Sequence, residues 1–117
     1  MADELTERII GAAIEVHRVL GPGLLESIYE EALSHEMNLR DMAYERQKQV
    51  DVIYKGIAIH GQRLDLVVEN SVVVELKSCA QVAPVVQAQI LSYLRASGLQ
   101  RGLLLNFGET RLVDGIQ

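Results

Sequence analysis

The chain has 117 residues, 49% of them hydrophobic. That is enough apolar material for one compact core and too little length for two, so a single domain over 1–117 is expected. A net charge of −5 argues against broad, nonspecific nucleic-acid binding, which needs a basic face. It still admits a local basic patch, or a site where metal ions neutralise carboxylates and phosphates.

The opening segment, MADELTERII, is acidic and polar and does not read as a signal peptide. Residues 4–20 follow as a helix, with Leu5, Ile9, Ala12, Ala13, Val16 and Leu20 at the three-four spacing of one face. His17 lies at the edge of that face and reads as a satisfied core histidine, with a place facing the functional cleft as the alternative. Gly21-Pro22-Gly23 ends the helix in a tight turn.

A second helix is expected over 24–40, with an apolar arc of Leu25, Ile28, Tyr29, Ala32, Leu33 and Leu39. Ser27, Glu30, Glu31, Ser34 and Asn38 then face water. Glu26 stands at one border of the arc. Glu36 falls nearer its middle, where a nearby arginine or a backbone donor should pair it.

The period then changes to two. Residues 43–54 read as a long strand, Tyr54-Lys55-Gly56 as a turn, and Ile57–Ile59 as the return. RLDLVVE (63–69) and VVVELK (72–77) are two β-branched runs that form a hairpin. The stretch from Ser78 to Leu94 is uncharged, but Gln81, Pro84, Gln87 and Gln89 make it too polar for a membrane span. Residues 82–98 within it read as a helix, with Pro84 in the first turn and Gly98 at the end. RGLLLNF (101–107) is a final buried strand. Cys79 is the only cysteine, which excludes an internal disulfide, and it reads as a small buried hydrophobe. The order α, α, β-meander, α, β predicts an α/β fold, a mixed central sheet flanked by helices. A soluble, cytoplasmic protein is expected.

The hairpin carries three charges that a sheet core should reject. Side chains alternate along a strand, so Val73, Glu75 and Lys77 share one face and Val72, Val74 and Leu76 the other. On the first run Arg63, Asp65 and Val67 oppose Leu64, Leu66 and Val68. A three-residue turn over 69–71 sets Val68 opposite Val72 and Asp65 opposite Glu75, and leaves the reverse face wholly apolar. Two adjacent carboxylates resist ionising together. A divalent cation resolves the conflict, and Mg²⁺ favours one or two carboxylates with water and phosphate oxygens. Lys77 on the same face could contact a phosphate or help an attacking water. This combination fits metal-assisted phosphodiester hydrolysis. The spacing equally admits a plain salt bridge from Glu75 to Lys77, with Asp65 a solvated edge charge.

Asp65 followed by Glu75-x-Lys77 resembles the signature of the PD-(D/E)XK nuclease superfamily. Gln89-x-x-x-Tyr93 resembles a motif of its RecB-like branch, and Gly23-x-x-Glu26-x-x-Tyr29 the pattern that names the GxxExxY proteins within it. The resemblance implies a restriction-endonuclease-like core and a Mg²⁺- or Mn²⁺-dependent nuclease. In that reading Asp65, Glu75 and the Leu76 carbonyl are metal ligands, and Lys77 stabilises the attacking hydroxide or the developing charge. Glu26 completes the acidic cluster, directly or through water. Gln89 and Tyr93, four apart on one helix face, position Lys77 or a substrate phosphate. The implied partner is nucleic acid, DNA first, with no membrane; a homodimer is compatible. Arg46, Lys48, Lys55 and Arg63 are candidates to touch a backbone, or are a solvated face. The alternatives are a nuclease-fold binding or scaffold protein without turnover, and an enzyme acting on RNA or a nucleotide.

Overall fold

The computed structural model describes residues 3–117. Helix α1 spans Glu4–Leu20. Asp3 caps it by accepting the Thr6 N–H at 2.9 Å, and Gly21 closes it at φ 74° with its N–H on the His17 carbonyl. Ile9, Ala12, Ala13 and Val16 are buried as expected, whereas Leu20, at the frayed end of the stripe, is 38% exposed.

Helix α2 spans Glu26–Leu39 and starts two residues later than the sequence pattern suggests. Its buried face is Tyr29, Glu30, Leu33, Ser34 and Met37. The expected arc is therefore rotated: Leu25, Ile28 and Leu39 are exposed, while Glu30 and Ser34, expected in water, are inside. The polar residues tolerate burial because they are bonded. Ser34 Oγ donates to the Glu30 carbonyl, and the Glu30 carboxylate accepts from Arg46 and Gln47. Glu36 is paired with Arg40 at 2.7 Å, as its position demanded.

Strand β1 is Tyr44–Tyr54 and β2 is Ile57–Val68. Tyr54 pairs with Ile57 across Lys55 (φ 48°) and Gly56 (φ 86°), a two-residue turn with both centres left-handed, which matches the strand twist. The two apolar pieces expected in the return are one strand, kinked where the register shifts between Val50 and Val52 opposite Gly61 (φ 118°). Strand β3 is Val72–Lys77, helix α3 is Val85–Ser97, and β4 is Arg101–Asn106. A short 3₁₀ turn, Leu112–Gly115, precedes the last residues.

The four strands lie in the order β1-β2-β3-β4. The first three are antiparallel, and α3 carries the chain over to β4, parallel to β3. The sheet is thus mixed and flanked by helices, as the element order implied. Leu66, Val68, Val72, Val74 and Leu76 join the core under α1 and α2. Val67 and Val73 pack with Tyr93 and Leu94 of α3 on the other side. Leu64 joins that second cluster, not the face of Leu66 and Val68 where alternation puts it. The slip falls at Asp65. Among the described residues no helix is long and apolar enough to cross a membrane.

Candidate active site

The β2–β3 hairpin has the register its apolar pattern selects: Val68 opposite Val72, Val67 opposite Val73, Leu66 opposite Val74. Glu69 (φ 52°) and Asn70 (φ 53°) make the turn, with Ser71 N–H on the Val68 carbonyl. The next rung would pair Asp65 with Glu75, but backbone pairing stops before it. Side chains take its place. The Asp65 N–H donates to Glu75 Oε1 at 3.2 Å, and the Leu76 N–H donates to Asp65 Oδ2 at 2.9 Å. The strands therefore fork at this point, and two carboxylates lie in the opening.

Glu75 is 6% exposed. Burial, and then the charge of Asp65, push its carboxyl up to about 8; the Asp65 N–H and the Lys77 charge pull back only in part. The metal-free site therefore favours the protonated form of Glu75. Tyr93 feels the same field: burial first, then Glu75 and Asp65, push its hydroxyl upward. This puts Tyr93 within electrostatic reach of both carboxylates, from the α3 side. Gln89, one turn earlier, is exposed and makes no hydrogen bond among the described residues, so the structure does not bring it to the pair. Lys77 is half-buried beside them and closes no ion pair with any described residue, which removes the plain Glu75–Lys77 salt bridge as the reason for its position.

A cleft of about 300 Å³ opens on Asp65 from the α2 side, lined by Glu26, Ser27, Glu30, Gln47, Asp65 and Leu76. Glu26 owes its place to the turn before it. Gly23 takes φ 96°, and the Tyr29 hydroxyl donates to the Gly21 carbonyl while accepting the Leu24 N–H. The Tyr29 ring stacks on Phe107 with centroids 4.4 Å apart. Ser78 Oγ donates to the Leu24 carbonyl and ties this turn to the end of β3. So the glycine and tyrosine flanking Glu26 are structural: they fix where α2 begins, and the glutamate follows.

Glu30, Gln47 and Ser27 were not singled out in the sequence. Glu30 follows Glu26 by one helical turn, a spacing that would have flagged it. Three of the four basic candidates are already engaged: Arg46 with Glu30 and Glu31, Lys48 with Glu45 at 3.5 Å, and Lys55 over the Tyr54 ring at 5.5 Å. Arg63 is exposed. His17 donates from Nε2 to the Glu109 carbonyl at 2.8 Å and is a satisfied core residue. Cys79 is half-buried, not the buried hydrophobe expected, because the strand has ended before it. Asn106, fully buried, stitches that loop to β4 through the Cys79 N–H and carbonyl.

The donor set can be tested against a divalent ion. Among the described residues no three Asp, Glu, His or Cys side chains converge closely enough to hold a metal. Two carboxylates do, and Mg²⁺ is held by one or two with water and phosphate oxygens making up the rest. The pair fits such an ion. Glu26 shares the cleft but stands at one remove from the pair. A larger cavity of about 540 Å³, lying between α1, α3 and β4, has an apolar floor of Ile90, Leu91, Leu94 and Leu104 and holds none of these residues.

An α/β sheet whose hairpin forks around Asp65 and Glu75, with Lys77 two residues on, has the architecture of a restriction-endonuclease-like domain. The chain belongs to the PD-(D/E)XK nuclease superfamily: that family's model matches residues 3–117. Comparisons with curated proteins and with solved structures return no match.

Proposed function

We propose that this protein is a metal-dependent nuclease of the GxxExxY type, within the RecB-like branch, and that it hydrolyses DNA phosphodiesters. The observation that carries the reading is the fork. Asp65 and Glu75 each bond to the other strand through a side chain where a ladder rung should be, which leaves two crowded carboxyl groups at the fork, with Asp65 lining a cleft. In this reading Asp65 and Glu75 hold Mg²⁺ or Mn²⁺ with the Leu76 carbonyl, and Glu26 acts through water. The ion, when bound, would lower the pKa of a coordinated water and neutralise phosphate charge. Lys77, with no carboxylate partner of its own, is free to place its charge on the hydroxide or on a phosphate oxygen. In this reading Tyr93 orients Lys77 or the substrate, and Gln89, exposed one turn earlier on the same helix, would meet only the substrate.

A binding protein of the same fold without turnover is the second reading. It is favoured by the net charge of −5 and by the internal pairing of Arg46 and Lys48, which leave little basic surface for a nucleic acid. Incubation with end-labelled single- and double-stranded DNA and RNA, in EDTA, Mg²⁺ and Mn²⁺, separates the two. Metal-dependent cleavage of DNA is expected. Retention of intact DNA and RNA under every divalent condition would leave the binding protein as the better account.

A further inference from the structure

Asp65 lies outside the ladders on both sides. On the β3 side its rung is replaced by the carboxylate bonds. On the β1 side Arg46 pairs with Leu66 and Lys48 with Leu64, while the rung between them, Gln47 with Asp65, is missing. Opposite Asp65 at this second gap is Gln47, which sits inside β1 with φ 50°. That is left-handed backbone, uncommon for a residue with a side chain and foreign to a strand. It persists because something holds it. Gln47 Nε2 donates to Glu30 Oε1 at 2.7 Å, and Glu30 is itself buried and fixed by Arg46 Nε at 3.1 Å and Nη2 at 3.0 Å.

We propose that Gln47 is a positioning residue for Asp65: clamped by Glu30, it keeps the one β1 rung opposite Asp65 open, with the register unchanged on either side, so that Asp65 is free to turn into the fork. The break in alternation that carries Leu64 to the α3 side falls opposite the same residue. In a regular strand Gln47 would pair with Asp65, flatten β2 there and draw the Asp65 carboxylate off the Leu76 N–H. Local strain of this kind persists only where the surroundings over-determine it. Here a buried carboxylate on α2 does so, from within the cleft that Asp65 lines. The inference rests on the metal-site reading for its purpose, but its geometry can be measured without metal.

The test uses Gln47→Val, which disfavours left-handed backbone and cannot reach Glu30, and Gln47→Asn, which tolerates it. Gln47 is exposed, so neither change enters the core. Gln47→Thr, also β-branched, takes the place of the valine variant if that one does not fold. In EDTA, hydrogen exchange at the Leu76 amide should be at least tenfold faster in Gln47→Val than in wild type, with Val73 and Val74 unchanged. Gln47→Asn should stay within threefold of wild type. Calorimetric Mn²⁺ affinity should fall at least tenfold in Gln47→Val and be kept in Gln47→Asn. Wild-type exchange at Leu76 in Gln47→Val would overturn the proposal, whatever the metal does. Faster exchange with no Mn²⁺ binding even by wild type would uphold the role of Gln47 and remove the metal reading.

Discussion

Replacing Glu75 by glutamine should change how stability depends on pH, in a direction the structure dictates. The Glu75 carboxyl is raised from an ordinary value of 4.5 to about 8 by burial and by Asp65. The folded protein therefore holds this proton more tightly than the unfolded chain does. Its contribution is fully present below about 4.5 and is lost as pH rises through about 8. Each unit is about 1.4 kcal/mol, so full ionisation costs the metal-free fold up to about 5 kcal/mol. Glutamine is close to isosteric, cannot ionise, and keeps an oxygen for the Asp65 N–H. Asp3 and Glu15, held below the ordinary range by Thr6 and Arg18 respectively, act only in acid and are common to both proteins. Urea unfolding in EDTA at steps from pH 5 to 9 is the assay. The two proteins should have similar stability at pH 5, and the mutant should be more stable by several kcal/mol at pH 9. Parallel curves across the whole range would refute the argument, because they would mean that Glu75 ionises in the fold as it does in water.

Lys77→Met should leave the fold and Mn²⁺ binding intact while lowering any cleavage rate by about 10²- to 10³-fold, the usual effect of losing one preorganised charge; cleavage at the wild-type rate would reduce Lys77 to a bystander. Tyr29→Phe keeps the ring on Phe107 but strands the Gly21 carbonyl and the Leu24 N–H, so melting should report a loss of about 1–3 kcal/mol. An unchanged melt would mean that water replaces both bonds and that the turn before Glu26 does not depend on the hydroxyl.

The hairpin register was legible because period-two alternation fixes it: only a turn over 69–71 puts Val68 against Val72 and keeps one face apolar. The α2 arc was not. Leu25 and Ile28 have the apolarity of core residues and Glu30 that of a surface one, but Glu30 is buried against Arg46 and Gln47, partners 16 and 17 residues away. Hydrophobic periodicity carries no information about such a bond. The position of Asp65 was only half legible. Its neighbour Glu75 follows from register, but the missing rung coincides with a left-handed Gln47 in β1, and glutamine gives no sign of a left-handed φ. Leu64 was assigned to the wrong face for the same reason. The Glu75–Lys77 salt bridge was an open alternative in the sequence, and only the distances remove it.

The central claim is that Asp65 and Glu75 form a pocket for a divalent cation, and thermal melts with EDTA and with millimolar Mn²⁺ test it most directly. An ion that binds the folded pocket and not the unfolded chain stabilises by about 2.7 kcal/mol at a hundredfold excess over its dissociation constant. Wild type should gain that much. Asp65→Asn removes a ligand charge and the repulsion with Glu75 together, so it should be at least as stable as wild type in EDTA and gain little from Mn²⁺. A wild-type melt that does not move with Mn²⁺, together with a destabilised Asp65→Asn, would contradict the account and make the carboxylates structural.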